Sequence, residues 1–290
     1  MITPTVKAPE SPKAALVFVH GMASHKKRYY PFMTYMAEKG FACVIYDQRG
    51  HGESVSSPEE LGYFGKGGST LLIEDCLEIV RWTRAQYPGI PVFLFGHSMG
   101  SMVVRCLAKR YDAEIDGLIV SGTPAPSRLA GIGIFLTRII SLFKGEHYRS
   151  RKIALLMFGK QEKRFASEGM RNAWLSSNKA DVQSFNNDPL CGFKFTLNGY
   201  RTVMQLVRDT YSPRGWEVNH PDLPVHFVSG GNDPCMGSLS TFARIVSFFR
   251  GRGYKNVTSK IYPGLRHDIL NEIGKEDVWT DLEALAESWL

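Results

Sequence analysis

The chain alternates short apolar runs with stretches of helical period, and that rhythm constrains the fold more than any other feature. The runs lie at residues 14–20, 41–46, 91–95, 116–121, 223–229 and 257–262. Helical spacing occupies 29–39, 69–87, 99–111, 239–250 and 275–289. An unbroken apolar run such as Ala14-Ala15-Leu16-Val17-Phe18-Val19 reads as a strand buried on both faces. Alternating strands and helices then predict a mostly parallel sheet covered on both sides. The helix ends are marked: Gly40 follows a stretch with Phe32, Met33, Met36 and Ala37 on one face, and Pro88-Gly89 stops the next helix. With 290 residues, 43% hydrophobic and 22% charged, the chain has room for one large α/β domain carrying an insertion.

The rhythm breaks between residues 123 and 215. Helical pieces continue there, interrupted by Gly and Asn, and no strand is predicted. The reading is therefore a core in two parts, 1–122 and 216–290, with 123–215 as a helical cap inserted at the carboxyl edge of the sheet, where ligands bind in open α/β folds. The insertion holds 15 Lys and Arg against 6 Asp and Glu, more than the net +7 of the whole chain. Such an excess attracts phospholipid head groups, acidic substrates or nucleic acid, or it is simply a solvated face. Within it, residues 129–143 place Ile132, Phe135, Leu136, Ile139, Ile140 and Phe143 on one helical face, with Arg138, Ser141 and Lys144 opposite. This amphipathic helix either packs on the cap or the domain, or it walls an acyl pocket and touches a membrane interface.

Several classes are disfavoured. No apolar stretch approaches the roughly 20 residues that span a bilayer. The first 13 residues contain Pro4, Pro9 and Pro12 and no apolar core of a signal peptide. Cys43, Cys76, Cys106, Cys191 and Cys235 are scattered, odd in number and without Cys-x-x-Cys spacing. That pattern predicts neither disulfides nor a metal site, and it suits a reducing, cytoplasmic setting.

The chemistry converges on Gly96-His97-Ser98-Met99-Gly100, between the run at 91–95 and the helix at 99–111. Gly-x-Ser-x-Gly in strand–turn–helix context holds its serine at the apex of a tight turn, with the N–H groups of the next helix facing any charge that forms there. Ser98 is thus the candidate nucleophile, against the alternative of a glycine-rich turn with an incidental serine. A serine hydroxyl needs a base, and the base needs a partner to fix its tautomer. Of eight histidines, His267 follows the last predicted strand at the correct edge. His20 and His97 neighbour motif glycines; His25, His51 and His147 come too early; His220 and His226 flank the start of a strand. For the acid, Asp233 follows the preceding strand, and Asp209 and Asp222 are weaker candidates because neither directly follows one. The order Ser, Asp, His suits this architecture. Two backbone donors are needed for an oxyanion, and the N–H groups of Met99 and Met22 are expected to supply them. The base is expected to titrate near the imidazole reference of about 6.5.

Taken together, His20-Gly21-Met22, Asp47-Gln48-Arg49-Gly50-His51-Gly52-Glu53-Ser54, Gly96-His97-Ser98-Met99-Gly100, Asn232-Asp233-Pro234 and Arg266-His267-Asp268 resemble the α/β-hydrolase fold. More narrowly, they resemble its monoacylglycerol lipase and lysophospholipase-like branch, grouped with serine aminopeptidases, over nearly the whole chain. The resemblance implies a serine hydrolase acting on small-molecule acyl esters through an acyl-enzyme, with no cofactor, no metal and no nucleic-acid partner. It leaves contact with an anionic lipid surface open and sets no oligomeric state. It also implies that residues 47–54 are structural, with Arg49 bracing loops. A peptidase of the same fold would need an acidic pocket for a free amine, which the basic insertion disfavours; a non-catalytic binding protein could lose triad members freely, and all three stand here. There are two departures. Only residues 1–12 precede the first apolar run, where the family has a hairpin, so an edge strand is expected to be missing. Cys235 replaces a small aliphatic residue and reads as a buried, inert thiol.

Overall fold

The computed structural model describes residues 2–290; Met1, the first residue of the expected N-terminal core segment, lies outside them. Seven strands, β1 (Thr5–Lys7), β2 (Ala14–Val19), β3 (Phe41–Ile45), β4 (Val92–His97), β5 (Gly117–Ser121), β6 (Val225–Gly230) and β7 (Val257–Tyr262), form one sheet in the order β1-β3-β2-β4-β5-β6-β7. All neighbours are parallel except β1 with β3. The edge strand expected to be missing is present as a three-residue piece: Thr5 lies opposite Ile45 and Lys7 opposite Cys43. The first residues carry no apolar run because an edge strand has one face in water. The other edge strand, β7, is likewise polar and exposed along Thr258–Lys260.

Nine helices are described: α1 (Tyr30–Glu38), α2 (Ser69–Gln86), α3 (Met99–Tyr111), α4 (Ala130–Lys144), α5 (Arg151–Arg164), α6 (Lys179–Asn187), α7 (Leu197–Thr210), α8 (Leu239–Arg250) and α9 (Lys275–Glu287). Successive strand side chains point to opposite faces, so each central strand feeds two cores. Val17, Val44, Leu94 and Val120 join α2, α3 and α8 on one side. Leu16, Phe18, Cys43, Phe95 and Ile119 join α1 and α9 on the other. No helix among the described residues is long and apolar enough to cross a membrane.

Helices α4 to α7 lie between β5 and β6 in the chain, with no strand among them. Of the two readings open for the apolar face of α4, packing against the cap or the domain is not what the structure shows. The buried side of the helix is the narrow one, Ala130, Gly133, Ile134 and Thr137, seated on α7. Gly133 makes that approach possible, since a Cβ there would come within 2.1 Å of Met204 Sδ. The wide apolar face is turned outward: Ile132 is 56%, Phe135 62%, Leu142 78% and Phe143 81% exposed.

One buried carboxylate closes the return from this segment to the core. Asp112, at the end of α3, accepts the backbone N–H of His220 (3.0 Å) and of Asn219 (3.1 Å) and the Tyr254 hydroxyl (3.1 Å). Hydrogen bonds to a charged group contribute about 1.5–3 kcal/mol each. Asp112→Ala, which strands three donors, should lower unfolding free energy by about 3 kcal/mol or more in urea titration; a change below about 0.5 kcal/mol would show that the clasp is inconsequential.

Candidate active site

Ser98 sits between β4 and α3 at φ +54° and ψ −116°, in the left-handed half of backbone space that a residue with a Cβ rarely adopts. The flanking glycines explain how the turn closes. A Cβ on Gly100 would lie 2.1 Å from the Val19 carbonyl oxygen, and one on Gly96 would lie 2.5 Å from that of Gly100. Backbone touches backbone there, so no larger residue fits. Ser98 is held from behind by its N–H to the Ser121 carbonyl at 3.0 Å.

The loops after β6 and β7 meet this turn. His267 Nε2 is 2.8 Å from Ser98 Oγ, and its Nδ1 is 2.9 Å from Asp233 Oδ2. The two loops touch: a Cβ on Gly230 would strike the Arg266 carbonyl oxygen at 2.0 Å. Asp233 and His267 are buried. Asp233 also accepts the Ser229 hydroxyl at 3.1 Å and the Cys235 N–H at 2.7 Å. A carboxylate fixed by those donors makes Nδ1 the protonated nitrogen and leaves Nε2 free to accept from Ser98. Burial disfavours the charged imidazole, but Asp233 and then Cys235 outweigh it, and the His267 pKa is raised well above its ordinary value. The expectation of titration near 6.5 is therefore corrected upward.

The remaining sequence candidates lie elsewhere. Asp209 pairs with Lys109 and Arg110, and Asp222 with Lys255. His25 pairs with Asp188, His147 stacks on Tyr63, His220 faces the Ile115 carbonyl and His226 faces Thr258. His20, His51 and His97 are buried supports. His97 Nε2 faces the His267 carbonyl at 3.1 Å and so carries the proton; its Nδ1 accepts from the Tyr29 hydroxyl. Burial, and then the neighbouring His267, lowers its pKa to about 4. His51 Nε2 accepts the Ala23 N–H at 3.1 Å, and His20 Nε2 accepts that of Gln48 at 3.0 Å. Within residues 47–54, Asp47 takes the N–H groups of Lys26 and Glu53, and Arg49 forks onto Asp75.

Met22 and Met99 flank the serine. The Met22 loop approaches closely: a Cβ on neighbouring Gly21 would lie 3.2 Å from Ser98 Cβ. Neither the Met22 nor the Met99 N–H has a protein acceptor among the described residues. His51 holds Ala23, which is itself at φ +48°, and thereby fixes the loop that presents Met22.

The family described as "Serine aminopeptidase, S33" matches residues 10–274. The chain belongs to this family. It is 24% identical over 279 residues to a monoacylglycerol lipase of Mycolicibacterium smegmatis, covering 96% of this chain and 88% of that one. It is 22% identical over 284 residues to phospholipase YtpA of Bacillus subtilis, covering 97% and 98%. Among solved structures, a thermostable carboxyl esterase from Bacillus coagulans superposes with a TM-score of 0.89 at 24% identity, over 99% of this chain and 94% of that one. A soluble variant of monoglyceride lipase from Saccharomyces cerevisiae gives 0.76 at 19%, over 99% and 92%. These likenesses make the α/β-hydrolase fold secure.

In this S33 member, residues 123–215 reach the same loops. Arg28 bonds both Asp181 and Asp268, Gly192 N–H donates to the Ala23 carbonyl, and Arg266 forks onto Glu168. The Trp174 ring stands 5.1 Å from that of His267.

Sequence reasoning missed Ser229, because a serine ending a strand looks like any other. Ser229→Ala should lower kcat on a chromogenic ester about tenfold while leaving KM unchanged, on the scale of one hydrogen bond to a charged group. Unaltered kcat would make the Ser229 contact incidental.

Proposed function

We propose that this protein is a serine hydrolase that cleaves carboxylic esters of acyl chains, of lysophospholipid or monoacylglycerol type. One observation carries the reading: the continuous Ser98–His267–Asp233 hydrogen-bond chain, set at the free N-terminus of α3. His267 takes the Ser98 proton as Oγ attacks the ester carbonyl. The tetrahedral oxyanion is received by the N–H groups of Met22 and Met99. His267 then protonates the leaving alcohol, and a water molecule repeats the cycle on the acyl-enzyme. No step calls for a metal or a cofactor. The curated relatives quoted above are named for lipid esters, which supports this substrate class over peptides.

Residues 123–215 act as a cap over Ser98 that chooses the substrate. The outward face of α4, with Arg138 and Lys144 on the same helix and Arg151 and Lys152 beginning α5, suits the surface of an anionic membrane or micelle. Arg149, also in the basic segment, serves differently: it donates to the Lys194 and Glu59 carbonyls and braces the loops. The five cysteines are all free, which supports a reducing, cytoplasmic setting.

Ser98→Ala should reduce ester turnover by about 10⁶-fold without loss of fold, and a fluorophosphonate should label the native protein at Ser98. Faster cleavage of an aminoacyl-naphthylamide than of any acyl ester would favour a peptidase instead.

The pH profile follows from the base. His267 must be neutral to act, and its pKa is raised, so kcat/KM should fall on acidification through a pKa above 6.5. Asp233→Asn removes the charge responsible and should move that limb to lower pH. A wild-type limb at or below 6.5 contradicts the assignment.

Vesicle co-sedimentation tests the cap. Binding to anionic vesicles should exceed binding to neutral ones and weaken with salt, since exposed charges are screened within about 8 Å at physiological ionic strength. Phe143→Ser with Leu142→Ser, or Arg151→Glu with Lys152→Glu, should reduce it at least severalfold. Equal binding by these variants would leave the face merely solvated.

A further inference from the structure

Beside the catalytic chain lies a group that ester hydrolysis does not use. Cys235 follows Asp233 by two residues, and its N–H is bound to Asp233 Oδ1. A carboxylate oxygen of Asp233, a ring nitrogen of His267 and the sulfur of Cys235 all lie within 4.8 Å of one another. Cys235 is part-buried, not buried as its sequence context suggested. We infer that Asp233, Cys235 and His267 form a binding site for a soft divalent cation, zinc or cadmium, whose occupation switches the serine off.

The donor set is the first argument. Thiolate, imidazole and carboxylate are three of the ligands zinc takes, and a fourth position is left for water. A thiolate also selects such ions over magnesium or calcium. Tetrahedral zinc with bonds near 2.0 Å holds its nitrogen and oxygen ligands about 3.3 Å apart. The Nδ1 to Oδ2 separation of 2.9 Å therefore needs to widen by only about 0.4 Å.

The tautomer is the second. The metal takes Nδ1, the nitrogen that faces Asp233. The imidazole keeps one proton, now on Nε2, where it donates to Ser98 Oγ instead of accepting from it. The thiol releases its proton to solvent, so one proton leaves per ion bound above the His267 pKa, where the ring starts neutral, and a second leaves from the imidazolium below it. Divalent cation, thiolate and carboxylate together are neutral, which suits a buried position. In this state His267 has no lone pair to offer Ser98, and the nucleophile is not activated.

A second trio among the described residues, His25, Asp188 and Cys191, lacks this consistency. The Lys27 N–H points at His25 Nδ1 from 3.2 Å. Coordination through Nε2 would put a proton on Nδ1, against that donor. At His267 the nitrogen remote from the metal faces a hydroxyl, which can accept as readily as donate.

Inhibition rests on the reading of Ser98 and His267 as the catalytic pair; binding does not, and the two are measured separately. Cobalt(II) added to the intact protein should bind at one ion per chain, with a near-ultraviolet thiolate-to-cobalt band and strong visible bands of tetrahedral geometry. Zinc or cadmium, but not magnesium, should inhibit ester cleavage, with release by EDTA. In Cys235→Ala the cobalt–thiolate band should vanish. Relative to that variant's own uninhibited rate, the zinc inhibition constant should rise by more than the roughly 10–100-fold that losing an outer-shell partner costs. Absence of the thiolate band in the native protein overturns the site whatever the activity. Equal zinc sensitivity in Cys235→Ala, or equal inhibition by magnesium, also overturns it. A cobalt spectrum as expected without inhibition would keep the site and refute the switch.

Discussion

The approach of α3 to the end of β2 is the contact on which the site depends. Gly100 presses its backbone against the Val19 and His20 carbonyls, where a Cβ would come within 2.1 and 2.6 Å. That approach lets α3 begin directly above the sheet edge, and it forces Ser98 into a left-handed conformation. Such a residue costs about 1–3 kcal/mol and persists only where its surroundings over-determine it. Here they do. β4 is paired along its length with β2 on one side and β5 on the other, and its side chains are buried in both cores. The strain is thus placed at the end of the strand least able to relax, and the serine is left half-buried at the turn.

Around that turn, burial sorts the histidines into two kinds. His20, His51 and His97 are desolvated, with pKa values lowered by burial, and each works as a neutral ring with one donor and one acceptor. A ring in that state locks two backbone segments together without bringing a charge into the core. His267 is just as buried, yet its carboxylate partner drives it the other way. The ring centres of His97 and His267 are only 4.8 Å apart. Two imidazoles this close, with affinities for protons pushed in opposite directions, set the candidate base apart from its supporting neighbour.

The strands and the flanking helices were legible because a parallel sheet demands unbroken apolar runs, and those survive in any reading of the chain. The candidate trio Ser98, His267 and Asp233 could be picked out because each stands just past such a run, and the structure brings the three within hydrogen-bonding distance. Other features were hidden for identifiable reasons. β1 has three residues and an exposed face, too little for any pattern. The supporting histidines act through contacts between residues 28 or more apart, which spacing cannot register, while Ser229 reaches Asp233 across only four residues but within no recognisable pattern. The raised affinity of His267 for a proton depends on enclosure that no sequence motif records. Cys235 was taken as inert from its position alone, since closeness to a ring nitrogen 32 residues later is a product of folding.

The α4 helix shows a different kind of illegibility. Its periodicity identifies an apolar face, but periodicity does not say which side meets the protein. The narrow side does, because Gly133 admits the Met204 thioether and Thr137 satisfies its own hydroxyl on the Ile134 carbonyl. A close seat on small residues buries little apolar area, and it frees the broad face for another use. Water is a poor partner for Phe135, Leu142 and Phe143. The segment that carries them also presents Trp174 to His267 and is tied by Asp181 and Glu168 to the loop of that histidine. An acyl ester resides in lipid, while the nucleophile must work out of bulk water. On the function proposed above, an insertion that turns an apolar face outward and sets Trp174 against His267 would meet both demands, and the proposal would account for an apolar face left unburied in a chain with ample core.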